Sequence, residues 1–517
     1  MIGHGLLLGQ SLYSYLWDQK PPAIYVIYAI GELVFGFGNN AIYGINVVGT
    51  ILTLIVIYFA GARYSGGQIT GLVAGAFWVL LSQSLDLQAN QPNSELFMNC
   101  CLFAIFAIFI NSNRLNNKTL IFTGLLAALA TLFKQITLPP ICLLLASRLI
   151  FSDSQNRKRY FVEAIIILLI VALCWFFVAT WLLEANSFTD FYEAVFIYNI
   201  NYSRIGKGDI HHELKAYWDC LAQGLPIDRY VQGFLEIAAT TGIAKIISRD
   251  PAFKLWLHWL VYLFGTLIAI AMAHHPFAHY FQLLIPFAAV GGAWSLNSLQ
   301  NSFLIGLKTL FSYYKKSLTS FYCISMQICL TLMFFGPVFS DRIKELCSSP
   351  DDWSFRKYTS WFVVDKIMGE KLKSILYSFE TIYILGDAST LYFYSGHFPT
   401  VCTFSSLYCN DYLMRADVCV KWSTRVMLEL SNKRPDMIVV PFNTDKDTSS
   451  LLNDKEAREA IMNRQIITAW VNHNYYFYKT VEIEDKYIGW NRYFAIFLLP
   501  KSPLYSRLCN HPVHSKL

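Results

Sequence analysis

FVEAIIILLIVALCWFFVATWLLE, residues 161–184, decides what kind of fold this chain can adopt. Its two acids, Glu163 and Glu184, stand near the ends, and the twenty residues between them carry no charge. As a helix rising ~1.5 Å per residue, that interval covers ~30 Å, the thickness of a bilayer's hydrocarbon core. A helix apolar on every face is buried, and one this long without a charge reads as a membrane span. Arg157-Lys158-Arg159 lies directly upstream, which places that end in the cytoplasm by the positive-inside rule.

Comparable segments recur at 40–62, 66–84, 95–112, 118–133, 135–151, 229–247 (the weakest), 255–273, 278–298 and 319–340. The whole 517-residue chain is 55% hydrophobic and only 15% charged, which is membrane-protein composition. Residues 1–340 therefore read as a multi-spanning domain. Charges become frequent after 341, where TIYILG, LYFYSG, DMIVVPF and YFAIFLLP look like short strands and polar stretches such as 450–468 look helical. The fold class expected is a polytopic α-helical membrane protein with a C-terminal soluble α/β domain at 341–517.

Sorting the loops by charge gives a topology. Arg63, Arg114 with Lys118, the 157–159 cluster, Arg249 with Lys254, and Lys308 with Lys315-Lys316 fall on one, cytoplasmic, side. The opposite, outer side then receives the loops 1–39, 85–94, 185–228 and 274–279 and the C-terminal domain. This alternation requires residues 22–37 to lie along the interface or re-enter; a crossing helix there would invert it. Within 185–228, FTDFYEAVFIYNINYSRI has apolar residues at helical spacing with acids interleaved, the pattern of an amphipathic surface helix.

The net charge of +6 comes largely from these loop clusters, so it reports topology and gives no sign of nucleic-acid binding. No phosphate-binding Gly-rich loop, dinucleotide fingerprint, nucleophile elbow or HExxH helix is present, so soluble-nucleotide chemistry has no visible site here. Of twelve cysteines, Cys347, Cys402, Cys409, Cys419 and Cys509 fall in the soluble third, an odd number without zinc-ligand spacing.

The outer-side loops carry the residues that could do chemistry. Lys20 follows Asp18-Gln19 and precedes Pro21-Pro22, which fix the backbone at the mouth of an apolar segment. A lysine there either snorkels to the interface or holds an anion such as a lipid phosphate. Glu95 opens an apolar segment behind Asn93-Ser94. It suits the positive end of a helix dipole, and it could equally bind a metal or an acceptor group with Asp86 and Asn90 beside it. Lys134-Gln135 interrupts two apolar runs, as a turn between helices or as an anion-binding pair in a polar cavity. His274, His275, His279 and Tyr280 cluster at the end of a span. They read first as hydrogen-bonding interfacial groups and second as metal ligands.

Together, LLLGQSLYSYLWDQKPPAIYVIYA (6–29), QANQPNSELFMNCCLFAIFAIF (88–109), GLLAALATLFKQ (124–135), HPFAHYFQLLIPFAAVGGAW (275–294) and IYILGDASTLYFYSGHFPT (382–400) resemble, in order, blocks of the bacterial GT-C glycosyltransferases of the protein mannosyltransferase and aminoarabinose-transferase type. The resemblance runs over nearly the whole chain. It implies an enzyme of the bacterial inner membrane that moves a sugar from a polyprenyl-phosphate carrier to a lipid, glycan or protein acceptor on the outer side. It further implies that Lys20 meets the carrier phosphate, that Glu95 matches the acid of the second outer loop, and that Tyr280, with His279, lines the same cavity; Lys134 and Gln135 are anion-binding candidates by their own position between apolar runs. Asp18 is the nearest candidate base. Some relatives carry a metal-binding acid directly before the lysine, where this sequence has Gln19, so the use of a divalent cation stays open.

Such enzymes also begin with a further helix and an acidic first-loop motif upstream of the lysine block, and neither lies in these residues. Met1 as an internal methionine of a longer protein is the expected account, ahead of a degraded gene or a takeover of the base by the remaining acids. A transporter or flippase-like protein, with Lys20, Glu95 and Lys134 lining a permeation path, and an inactive homologue are the rival readings.

Overall fold

The computed structural model of the chain describes every residue except 113, 203–227, 273–276, 311–315, 359, 387, 402–415, 445–465, 485–490 and 511–517. His274, His275 and most of 450–468 thus lie outside the described residues. The chain divides into two compact units.

The first unit comprises Lys20–Trp181 and Lys207–Ser348 and is helical. After α1 (Ile2–Leu7), which belongs to the other unit, come α2 (Ala23–Phe35), α3 (Asn39–Gly61), α4 (Gln68–Leu81), α5 (Ser94–Asn111), α6 (Asn117–Phe133), α7 (Leu138–Ile150) and α8 (Ser154–Glu184). Four described helices are long and apolar enough to cross a bilayer: α3, α5, α8 and Phe253–Met272. In α8, Leu169, Phe176 and Phe177 are each more than 60% exposed. A helix so apolar and so uncovered by protein is stable only with lipid around it. α5 is the opposite case: 72% of its apolar window is buried, so it runs through the middle of the bundle. At 13 residues, α2 covers only ~20 Å and does not span by itself.

Beyond the loop, α11 (Arg229–Ile247) and α12 (Phe253–Met272) precede a 3-10 turn (Ala278–Leu284), α13 (Ile285–Leu310) and α14 (Lys316–Leu346). The helix expected from 278 therefore begins at Ile285, with Pro286 in its first turn, where a missing N–H costs nothing. Gly291 and Gly292 let α13 approach its neighbours. A Cβ at Gly291 would come to 2.6 Å from that of Ala238, and one at Gly292 to 2.6 Å from Phe234. Tyr64, Phe103, Phe106, Trp256, Tyr262 and Trp294 interlock as an aromatic core between these helices.

The second unit comprises Met1–Gln19, Leu182–Gly206 and Ser349–Leu517. Its centre is a four-stranded sheet in the order β1 (Ile382–Ile384), β2 (Met437–Thr444), β4 (Asn491–Leu498), β3 (Tyr476–Glu484), with β1 parallel to β2 and the other pairs antiparallel. Three of the four expected strands are present. LYFYSG is instead the helix Thr390–Ser395, closed by Gly396 at φ 74 in the left-handed region. The reason is tertiary: Leu391 and Tyr392 are fully buried and the Tyr392 hydroxyl accepts from Ile384 N at 2.7 Å, anchoring the turn to β1.

The N-terminal segment is part of this unit's core. Tyr13 packs on Phe191 with ring centroids 5.1 Å apart, and Trp17 meets Tyr198 edge-on at 5.4 Å. The expected amphipathic helix appears as α9 (Phe188–Tyr192), a π-turn Glu193–Tyr198 and α10 (Asn199–Tyr202), and residues 203–227 of that loop lie outside the described residues. From the helix Ala416–Lys433, Arg425 pairs with Asp190 at 3.2 Å and Lys421 with Glu193 at 2.7 Å.

Candidate active site

α5 begins where Asn93 takes an extended conformation and its Oδ1 accepts from Leu96 N at 3.2 Å. Glu95 thus sits in the first turn, where its charge suits the helix dipole. It is only 1% exposed, however, and an isolated buried carboxylate is costly. The residue that neutralises it is Lys134, whose Nζ pairs with Glu95 Oε1. Lys134 reaches it because α6 stops at Phe133: Lys134 is extended (φ −157), Gln135–Thr137 forms a 3-10 turn, and Pro139-Pro140 starts the next helix. The break that the sequence marks as a turn between helices is also the device that aims the ammonium at Glu95.

The 3-10 turn Ala278–Leu284, outside the spanning helices, supplies the third side. Lys134 Nζ stands over the Tyr280 ring, 4.6 Å from its centroid, in cation–π geometry. His279 meets Tyr280 with centroids 4.4 Å apart, and Phe277 stacks on His279 at 5.7 Å. Burial pushes the His279 imidazole down to about 4, against the opposing pull of Glu95, and pushes the Tyr280 hydroxyl up to about 12. The Lys20 charge is felt at both side chains, lowering each. Glu95, Lys134, His279 and Tyr280 are therefore brought together, with Gln135 next in chain to Lys134, and the Lys20 charge acts on the same turn. Asp18 falls in the other unit, where its Oδ1 accepts from Gln19 N at 2.6 Å and Asn199 Nδ2 donates to Gln19 O at 2.8 Å.

A set of amides, not singled out from the sequence, fixes this geometry. Gln282 Nε2 donates to Leu87 O and Gln88 O, both at 2.8 Å, and Asn99 Nδ2 donates to Gln282 O at 2.9 Å. Asn46 Nδ2 donates to Asn90 Oδ1 at 2.9 Å, and Tyr28 OH to Pro92 O at 3.0 Å. The loop that leads into Glu95 is thereby tied to the turn that carries His279 and Tyr280. The signal available in sequence was the amide itself: Asn99 and Asn46 are uncharged polar residues inside apolar segments, where an unsatisfied amide is expensive. Elsewhere in this unit, Asp228 caps α11 and pairs with Arg342, whose Nε also donates to Leu80 O at 3.1 Å.

Chemically, the site offers two ammonium groups, one carboxylate and an aromatic hydroxyl in a mostly desolvated setting. That set can hold an anion and accept a proton. Among the described residues, no group of three or more His, Cys, Asp or Glu side chains converges as a metal site.

Residues 19–183 match the family model described as dolichyl-phosphate-mannose-protein mannosyltransferase. No curated protein matches the chain by sequence. Two solved structures of ArnT from Cupriavidus metallidurans resemble the fold. One, in the apo state, has a TM-score of 0.51 at 14% identity, covering 92% of this chain and 87% of that one. The other, bound to undecaprenyl phosphate, has a TM-score of 0.54 at 13% identity, covering 96% and 92%. By fold, this chain is a multi-pass membrane protein with a C-terminal α/β domain, similar to the two ArnT structures, and its residues 19–183 resemble the mannosyltransferase family.

Proposed function

We propose that this protein is a glycosyltransferase that moves a sugar from a polyprenyl-phosphate carrier to a lipid, glycan or protein acceptor on the outer side of the bacterial inner membrane. The observation that carries the reading is the cluster in which Glu95 and Lys134 pair under Tyr280 while the charge of Lys20 acts on the same aromatic turn. Two supports come from likeness: the matching family segment spans Lys20, Glu95 and Lys134, and a structure of similar fold holds undecaprenyl phosphate.

The reaction needs few groups. The acceptor hydroxyl loses its proton to a carboxylate, its oxygen bonds to the anomeric carbon on the face opposite the carrier, and the bond to the phosphate oxygen breaks with inversion. The polyprenyl phosphate leaves as a dianion, so cations placed in advance lower the barrier. Lys20 receives the phosphate. Lys134 is shared: as negative charge grows on the departing phosphate, its ammonium is drawn from Glu95, whose carboxylate gains basicity as the acceptor proton arrives. Glu95 is thus the favoured base and Asp18 the second candidate. A divalent cation would have to displace the Lys134 ammonium from Glu95, so no step is assigned to one.

The test is release of undecaprenyl phosphate from its glycosylated form by the purified protein in lipid nanodiscs, with bacterial membrane extract as acceptor. Turnover by the parent and its loss in Lys20→Ala and Glu95→Gln, both folded, support the reading. A parent that binds neither bare nor glycosylated carrier refutes it, and transport of the carrier across vesicles without sugar transfer would favour a flippase.

A further inference from the structure

Immediately beside the ion pair, α3, α4, α5 and the loop 82–93 enclose a cavity of ≈ 20 Å³ lined by Asn46, Trp78, Gln83, Asn99 and Gln282 among others. Two elements join it to the candidate active site. Asn99 lies four residues after Glu95, on the same face of α5, and Gln282 lies two residues after Tyr280 in the same turn. The wall is polar without being charged: none of its twelve lining residues is Asp, Glu, Lys, Arg or His. Several of its amides are already committed: Asn99 Nδ2 donates to the Gln282 main-chain O, Gln282 Nε2 to Leu87 O and Gln88 O, and Asn46 Nδ2 to Asn90 Oδ1. Two groups are not. Trp78 is 2% exposed and its Nε1 donor finds no acceptor among the described residues, nor does the buried Oδ1 of Asn46 find a donor.

A buried indole N–H and a buried amide oxygen left over in one small neutral cavity call for a group that both accepts and donates a hydrogen bond. A hydroxyl does both, and an ammonium only donates. The volume matches one hydroxyl or hydroxymethyl arm, not a whole ring. We infer that this cavity is a subsite for a hydroxyl arm of the transferred sugar, and that it selects a neutral sugar over an amino sugar. The inference rests on the proposed function above and deepens it: Lys20 and Lys134 take the phosphate end, and the Trp78–Asn46 cavity takes an edge of the glycosyl group attached to it.

Binding in nanodiscs tests this, with bare undecaprenyl phosphate, undecaprenyl-phosphate mannose and undecaprenyl-phosphate 4-amino-4-deoxyarabinose as probes. The parent is expected to prefer the mannose form. Trp78→Phe, which keeps the ring packing and removes the donor, should weaken the mannose form by about threefold to tenfold, the worth of one hydrogen bond, and leave the bare carrier unchanged. Gln83→Glu places a carboxylate on the wall without changing shape and should move the preference toward the amino sugar, so a poorly folded Trp78→Phe does not end the test. Equal binding of all three probes by the parent, or equal weakening of bare and glycosylated carriers by Trp78→Phe, overturns the subsite while the glycosyltransferase reading stands. Failure of the parent to bind any of the three overturns both.

Discussion

Replacing both members of the Glu95–Lys134 pair should damage stability less than replacing either one. Glu95 is 1% exposed and the Lys134 side chain 12%, so each charge depends on the other for compensation. Lys134→Met leaves a buried carboxylate alone, an expected loss of about 3 to 5 kcal/mol. Glu95→Leu strands the ammonium, but it keeps the Tyr280 face 4.6 Å away. A cation–π contact recovers about 0.5 to 2 kcal/mol, so this loss should be the smaller. The double variant, with apolar side chains of similar bulk, should lie within about 1 kcal/mol of the parent, because neither charge remains to be desolvated. The cycle then closes with a coupling of at least about 2 kcal/mol. Reversible unfolding in mixed micelles, followed by tryptophan fluorescence, measures all four proteins. Sugar transfer is expected to be absent in all three variants, including the stable double one, which separates the pair's structural worth from its chemical role. Single losses below about 0.5 kcal/mol, or strictly additive ones, would refute the claim that the pair is buried and mutually compensating, and a double variant that transfers sugar would remove Glu95 as base.

Three further outcomes follow from the geometry. His279, held down to about 4 from an ordinary value near 6.5, stabilises the fold in its neutral form. That stability is complete above about pH 6.5 and is lost as pH falls toward 4, because the unfolded chain takes up the proton first. The thermal midpoint should drop across that window in the parent and much less in His279→Gln; parallel curves would count against it. Gly292→Val should cost about 2 kcal/mol, since its Cβ would stand 2.6 Å from Phe234 in a packed crossing, and an unchanged melting temperature would contradict that contact. In the second unit, Arg425→Asp should release the segment around Asp190 by about 1 kcal/mol, and Asp190→Arg in the same protein should restore it, read as protease sensitivity of residues 182–202. No rescue by the swap would show that the Arg425 bond to the Ser14 carbonyl matters more than the ion pair.

The spans were legible because hydropathy is local: α3 and α5 begin and end within a residue of their apolar runs, and α8 ends with its run at Glu184. The break at Lys134-Gln135 was legible too, but the one before Ile285 was not, because the apolar run continues through 278–284 and only Pro286 marks a helix start. The soluble domain was harder. LYFYSG has strand-forming residues but only the fold shows that Tyr392 must turn inward to β1, and the Gly396 stop signal was there to be read. YFYKTVEIE, the edge strand β3, is broken by charges and only Val481 and Ile483 of its nine residues are buried, so it lacks the apolar run that marks a core strand.

By itself, then, the amino-acid order determined which segments enter lipid, where helices stop, and which polar residues stand at those stops, since all of these follow from the free energy of a short segment and its solvent. Tertiary structure alone decided which stops meet. Glu95 and Lys134 are 39 residues apart and Asn99 and Gln282 183 apart, and no local property of either member selects the other. The selection comes from packing the helices around α5. Once that core is closed, a carboxylate and an ammonium at its margin have only each other to replace water.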